Sequence, residues 1–195
     1  MSVERKFWMR WRVRLGYPVA VIYWLLATPS PRWILIGGSI ALFGLLVRAT
    51  AAGYLRKSEE LATSGPYECT RNPLYFGSSL LAAGFAIAGA SWWAAGVVTG
   101  YFAVFYYAVM RNEEDELREL YGSAFVEYAD RVPLFFPRMF GGNSDPRAKG
   151  PPSKQFSWAQ YRRNREYKAL IGTMAALGLV WLRMWMPIWV AWLRR

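Results

Sequence analysis

The chain has 195 residues, of which 54% are hydrophobic and 17% aromatic, and its formal net charge at pH 7 is +11. This composition is typical of a membrane protein, and because the basic residues flank apolar runs, we expect anionic lipid headgroups, and no nucleic acid, as their counter-charge. One cysteine and no histidine exclude an internal disulfide, a Cys/His zinc site and histidine-based catalytic triads.

Two apolar runs separated by a short turn predict a first helical hairpin. Basic residues open the chain before the run from Leu15 to Ala27, and a second run extends from Trp33 to about Ala52. The first run with its basic flank also resembles a signal peptide, but the second run follows at once and residues 27–30 form a poor cleavage site. Small residues in the second run predict close packing against another helix.

A second hairpin is predicted from Pro73 to about Ala90 and from Trp92 to Met110. The later helix has no breaker before Gly122, so we expect it to continue to residue 121. Its length is then about 45 Å at 1.5 Å per residue, which exceeds the ~30 Å hydrocarbon core. The last turns of this helix must therefore lie in water.

The next region is polar and charged. It predicts a short helix from Ser123 to about Arg131, a proline-bounded apolar patch at 132–137 and a flexible linker at 141–153. Ser157 is a candidate N-cap for a helix that enters the last apolar run, residues 169–193. Arg183 and Pro187 interrupt this run, so both a full span and two half-helices are open, and we give Arg183 no role.

These elements predict an all-α, polytopic membrane bundle with about five spans arranged in hairpins. Residues 54–72 and 111–168 then share one side with the N-terminus, and by the positive-inside rule this side is the cytoplasm. Four regions follow: a basic arm and first hairpin (1–52), a core of loop, second hairpin and cytoplasmic helices (53–138), a flexible linker (139–156) and a C-terminal helix, expected to span the membrane (157–195).

The polar stretch SGPYECTRNPLYFG, residues 64–77, interrupts the apolar sequence. Asn72 is a favourable N-cap and Pro73 a favourable first helical residue, so this stretch can be read simply as a helix start at a membrane surface. A helix N-terminus beside Arg71 is, however, also a suitable site for an anion. Gly77 leaves room for a bulky group against the helix backbone.

An acidic cluster follows the fourth apolar run and begins with Glu113 and Glu114. A short hairpin brings this cluster close to Arg71. Carboxylates at the hydrocarbon boundary are costly unless a cation or a donor meets them, although a solvated helix extension is the simpler interpretation. A basic helix start beside an acidic helix end suits a ligand with a carboxylate, an ammonium and a further positive centre.

The run Gly65-Pro66-Tyr67, then Thr70 to Gly77, then a hairpin, Glu113-Glu114, Tyr121-Gly122 and Val132-Pro133 resembles a family of integral-membrane methyltransferases. This family includes isoprenylcysteine carboxyl methyltransferase and the phospholipid N-methyltransferases, and the resemblance covers roughly residues 48–138. It implies a helix bundle that binds S-adenosylmethionine at its cytoplasmic face, which agrees with the lack of a GxGxxG motif in this chain. The resemblance assigns cofactor binding to Tyr67, Arg71, Asn72, Pro73, Tyr75, Gly77, Glu113 and Glu114. Asn72 stands where better-known members have histidine, so no imidazole base is present.

The predicted catalytic residues are Arg48, Arg71 and Glu114. Arg48 either holds a carboxylate of the methyl acceptor or extends to lipid headgroups. Methyl transfer from a sulfonium depends mainly on positioning and desolvation, and a carboxylate acceptor is already ionised at pH 7. We therefore favour O-methylation of a lipophilic, isoprenylcysteine-like acceptor that enters from the bilayer.

Three alternatives stay open: N-methylation of a lipid amine, a non-catalytic scaffold or carrier with the same fold, and a nicotinamide-dependent reductase. Tyr121 and Tyr128 either line the pocket or pack on the bilayer. Arg165 and Glu166 either close the site or form an exposed ion pair.

Overall fold

The computed structural model describes residues 3–56, 60–138 and 155–193, and all their regular structure is helical. The helices are α1 (Val3–Leu26), α2 (Pro31–Tyr54), α3 (Pro66–Cys69), α4 (Pro73–Ala88), α5 (Trp92–Tyr121), α6 (Ser123–Arg131), α7 (Trp158–Arg163) and α8 (Tyr167–Leu193). This confirms the all-α prediction. Nearly all of the predicted linker at 139–156 lies outside the described residues.

The two predicted hairpins are present, and their turns lie side by side. The backbone N–H of Thr28, in the turn between α1 and α2, donates to the carbonyl of Gly89 at 2.8 Å. The Thr28 hydroxyl donates to the carbonyl of Ala90 at 2.9 Å. We call this the turn end of the bundle and the opposite end, which carries α3, α6 and α7, the polar end.

Glycines bring α2 and α4 into backbone contact. A Cβ on Gly84 would lie 2.5 Å from the carbonyl oxygen of Gly37, and a Cβ on Gly44 would lie 2.6 Å from that of Gly77. Real side chains do not tolerate such distances, so these positions require glycine. The small-residue faces of these two helices therefore pack against each other within one chain.

Helix α5 has 30 residues and ends at Tyr121, as predicted. Its N-cap is Ser91, whose hydroxyl accepts the N–H of Ala94. In the described residues, three helices are long and apolar enough to cross a membrane: Pro31–Tyr54, Trp92–Tyr121 and Tyr167–Met186. The 16 residues of α4 extend only about 24 Å, short of the ~30 Å hydrocarbon core. The count of about five spans stays a prediction.

The prediction of one helix from residue 157 into the last apolar run is wrong, because the helix breaks at 164–166. Ser157 does cap α7, accepting the N–H of Gln160. Arg165 then adopts a positive φ of 56°, and the Asn164 amide donates to the carbonyls of Ala52 and Leu55, both at 2.8 Å. These contacts satisfy the last carbonyls of α2, and this tertiary gain outweighs continuation of the helix.

Helix α8 runs unbroken past Arg183, so the pair of half-helices considered from the sequence is not formed. The Arg183 guanidinium donates to the carbonyl of Trp24 at 3.2 Å and lies 5.5 Å from the centre of its indole ring. The Trp24 indole N–H in turn donates to the carbonyl of Leu179 at 2.9 Å. Arg183 thus binds carbonyls at the C-terminus of α1, which explains a charge in an apolar run.

Candidate cofactor and acceptor site

A cavity of about 790 Å³ lies at the polar end, between α1, α2, α4, α5 and α6. This volume is within the range of small-molecule sites. Its lining brings together most of the residues that the sequence predicts, namely Arg48, Tyr67, Arg71, Asn72, Pro73, Tyr75, Glu113, Glu114, Tyr121, Tyr128 and Glu166. The candidate site is therefore one connected space.

Arg71 and Glu114 form an ion pair that joins the start of α4 to the end of α5. The two side chains are only 16% and 12% exposed, and Arg111 approaches the second carboxylate oxygen of Glu114 at 3.7 Å. The buried Nε of Arg71 has no hydrogen-bond partner among the described residues. Because Arg71 lines the cavity, its guanidinium is a natural contact for a ligand carboxylate.

The segment 132–138 holds the loop that carries Arg71. The backbone N–H of Arg71 donates to the carbonyl of Pro133 at 2.9 Å, and the Thr70 hydroxyl donates to that of Phe135 at 2.9 Å. Asn72 occupies the N-cap position of α4, but its side chain does not cap the helix; its amide donates to the carbonyl of Leu134 at 3.1 Å. The predicted capping contact of Asn72 is therefore wrong, because the side chain forms a hydrogen bond with Leu134 and none with the N–H groups of the first turn of α4.

In the described part of the chain, seven tyrosines line the cavity: Tyr17, Tyr67, Tyr75, Tyr101, Tyr106, Tyr121 and Tyr128. The rings of Tyr75 and Tyr106 meet edge to face with centroids 5.6 Å apart, and the Tyr128 hydroxyl donates to the carbonyl of Tyr67 at 2.7 Å. Burial raises the pKa of both Tyr67 and Tyr128 above the ordinary value, so both stay neutral. Sequence reasoning missed the tyrosines at positions 17, 101 and 106, since only tertiary packing reveals which face of a long apolar helix lines a cavity.

Among the described residues of the cavity wall, carboxylates outnumber guanidinium groups by five to three, in a chain whose net charge is +11. The acidic residues are Glu60, Glu113, Glu114, Glu116 and Glu166, and the basic residues are Arg48, Arg56 and Arg71. An acidic excess within an otherwise basic protein favours a cationic ligand. Tyrosine rings add to this preference through cation–π attraction.

Arg48 lies where the cavity meets a second, smaller space. This groove, of about 390 Å³, runs between α4, α5 and α8 and is lined mainly by apolar side chains such as Leu81, Phe85 and Phe102. Arg48 binds the carboxylate of Glu166 through two nitrogens, at 2.7–3.1 Å, and the Ser78 hydroxyl at 2.5 Å. The two spaces share Arg48, Tyr101 and Tyr106.

Gly77 is not part of the cavity wall. A Cβ at this position would lie 2.7 Å from the carbonyl oxygen of Gly44 and 2.6 Å from Cγ of Arg48. The bulky group against its backbone is therefore helix α2. Packing accounts for this glycine, and its predicted contact with a cofactor has no support in the geometry.

Part of this helical bundle is similar in sequence to known proteins. Residues 33–124 match the phospholipid methyltransferase family, which confirms the resemblance drawn from the sequence. The cobalt-zinc-cadmium resistance protein CzcN of Cupriavidus metallidurans is 33% identical over 139 residues, covering 66% of this chain and 62% of that protein. The nickel-cobalt-cadmium resistance protein NccN of Alcaligenes xylosoxydans xylosoxydans is 34% identical over 140 residues, covering 66% and 63%. The chain thus spans less than two thirds of either relative, and no solved structure matches it.

Proposed function

Because its helical core matches the phospholipid methyltransferase family, we propose that this chain is a membrane methyltransferase that uses S-adenosylmethionine and acts on a lipophilic acceptor. The observation that carries the proposal is the buried Arg71–Glu114 pair in the wall of an acidic, tyrosine-lined cavity. The family match ends at residue 124, so the cavity also uses residues outside it, among them Tyr128 and Glu166.

The residues of the cavity fit the charges of this cofactor. The Arg71 guanidinium would hold the cofactor's carboxylate, and Glu113 with Glu114 would hold its ammonium. The tyrosine rings would face the sulfonium. When bound, S-adenosylmethionine supplies an electrophilic methyl group.

The chain's own residues then act by position. The α2–α4 contact fixes Arg48 and Arg71 relative to each other, and segment 132–138 fixes the loop before α4. In-line methyl transfer from a good leaving group depends mainly on an aligned nucleophile and a site that excludes water. A general base contributes less. No general base is required where the acceptor is a carboxylate, since that group is ionised at pH 7.

The apolar groove supports a lipophilic acceptor that enters between α4, α5 and α8 with its polar head at Arg48. O-methylation of a carboxylate, as on an isoprenylcysteine, is the reaction we favour. N-methylation of a lipid amine is the second candidate, and the acidic excess of the cavity favours it, because carboxylates attract an ammonium head and can accept its proton.

Methyl transfer with a tritium-labelled methyl group separates the two reactions. Membranes that contain the protein are supplied with labelled S-adenosylmethionine, and the extracted lipids are treated with mild base. Label that base releases as methanol indicates a methyl ester, whereas label retained on the lipid indicates an amine. A Glu114→Gln variant is the control, and equal labelling by this variant and the wild type would contradict the proposed site.

We further propose that the polar end lies in the cytoplasm, because the segments at this end are rich in Lys and Arg. Cys69 offers a direct test, since it is exposed at this end and is the one cysteine in the sequence. A membrane-impermeant maleimide should label Cys69 in broken cells and leave it unlabelled in intact cells. Labelling in intact cells would reverse the orientation.

The names of the two relatives suggest a physiological setting in metal resistance. We propose that methyl transfer by this chain contributes to tolerance of cobalt, zinc, nickel or cadmium. Among the described residues, no group of three or more Cys, Asp or Glu side chains is placed to hold a metal ion. If methyl transfer underlies tolerance, growth on these metals should depend on Glu114. Full tolerance in a strain that carries only the Glu114→Gln variant would show that tolerance does not need methyl transfer.

A further inference from the structure

The Arg48 guanidinium, which lies between the cavity and the groove, is bound by the carboxylate of Glu166. Nε and Nη2 of Arg48 donate to Glu166 at 2.7–3.1 Å, and Nη1 donates to the Ser78 hydroxyl and, at 3.3 Å, to the carbonyl of Leu74. The contacts with Glu166 use the Nε and Nη2 edge of the guanidinium, which is the edge that binds a carboxylate in bidentate fashion. A ligand carboxylate or phosphate therefore cannot take this edge of Arg48 while Glu166 is in place.

This ion pair faces the two spaces. The side chains of Arg48 and Glu166 are 18% and 13% exposed, and both line the cavity. Arg48 also supplies the charge in the described lining of the groove, whose other members are apolar, small or hydroxyl-bearing. An amphiphile with its tail in the groove consequently brings its head to Arg48.

Glu166 is attached so that it can release Arg48. It follows Asn164, whose amide binds the last carbonyls of α2, and Arg165, whose positive φ separates α7 from α8. The flexible side chain of Glu166 can therefore turn away from Arg48 without loss of the Asn164 contacts. The Ser78 hydroxyl and the carbonyl of Leu74 meanwhile still hold the Arg48 side chain against α4.

We infer that Glu166 holds the guanidinium of Arg48 in place of the anionic head of an amphiphilic acceptor, and that this head displaces Glu166 on binding. A carboxylate or a phosphate matches the bidentate geometry that Glu166 now makes. A neutral or cationic head cannot compete for Arg48, so the exchange selects an anionic acceptor. This inference rests on the proposed function and adds the residue that sets selectivity for the acceptor.

The test uses the purified full chain in detergent with S-adenosylhomocysteine present. Four probes share one hydrocarbon chain and differ in the head: oleate, oleyl phosphate, oleylamine and oleyl alcohol. Removal of the internal competitor in Glu166→Gln should tighten binding of the two anionic probes about tenfold and leave the other two unchanged. The stronger of the two anionic probes identifies the head as carboxylate or phosphate.

Three further variants control the interpretation. Arg48→Gln should abolish the preference for anionic heads. Glu166→Asp, which keeps the charge but shortens the side chain, should give a smaller gain than Glu166→Gln and serves if the latter does not fold. Glu119→Gln removes an exposed carboxylate of α5 that lines neither the cavity nor the groove, and it should change nothing.

Unchanged affinity of Glu166→Gln for both anionic probes, or an equal gain for oleylamine, would overturn the inference. Calorimetry with S-adenosylhomocysteine on the same preparations reports separately on the proposed function. A protein that binds S-adenosylhomocysteine but shows no effect of Glu166 refutes only the displacement. A folded protein that does not bind it refutes the proposed function.

Discussion

Replacement of Gly77 by alanine tests whether this glycine packs two helices or contacts a ligand. The added Cβ would lie 2.7 Å from the carbonyl oxygen of Gly44, about 0.7 Å closer than ordinary van der Waals contact. This oxygen belongs to the backbone of α2, so relief requires that α2 and α4 separate. Overpacking of this kind costs about 1–3 kcal/mol of unfolding free energy, and α4 must also move relative to Arg48.

The assay is thermal unfolding of the detergent-purified protein, together with calorimetric titration of S-adenosylhomocysteine. We expect Gly77→Ala to lower the unfolding midpoint by several degrees. Gly96→Ala is the matched control, because this glycine lies on α5 with no atom within 4 Å of its added Cβ. A Gly77→Ala protein with an unchanged midpoint and a lost affinity for S-adenosylhomocysteine would refute the packing explanation and favour a ligand contact.

Three other predictions concern the site and the bundle. Glu114→Gln leaves Arg71 without its charge partner, and calorimetry should find the affinity for S-adenosylhomocysteine lowered about 30-fold or more. Glu119 is exposed on the same helix, and the Glu119→Gln variant should bind normally. Burial keeps Tyr128 protonated in the folded state at pH values where the unfolded state ionises. The contribution of Tyr128 to stability should therefore be constant below about pH 10 and fall above it, and Tyr128→Phe should reduce this fall in pH-dependent melting curves. Arg183→Leu removes the donors to the end of α1 and should cost about 1–3 kcal/mol, measured by unfolding in detergent, with no change in ligand affinity.

Local signals in the sequence were sufficient for the helices and for half of the site. Apolar runs, the cap at Ser157 and the break at Gly122 predicted most helix ends to within a few residues, although α1 begins at Val3, well before the apolar run at Leu15. The juxtaposition of Arg71 and Glu114 followed from hairpin geometry alone. These features depend on neighbours in the chain or on one short turn.

Features that depend on distant contacts were not predictable. The helix breaks at 164–166 because the Asn164 amide donates to carbonyls more than 100 residues away in the chain. The Asn72 side chain does not cap α4 because it binds the carbonyl of Leu134. The partner of Arg48 likewise lies 118 residues further along the chain. No periodicity or motif encodes such pairings, and only the folded chain brings them together.

Calorimetric titration of the detergent-purified chain with S-adenosylmethionine and S-adenosylhomocysteine, with NADPH as control, shows whether the cavity at the polar end holds the methyl donor. We expect both sulfur ligands to bind in a one-to-one ratio, NADPH not to bind, and Glu114→Gln to weaken the binding of both sulfur ligands. A folded protein that binds neither sulfur ligand, or that binds NADPH instead, would contradict the account.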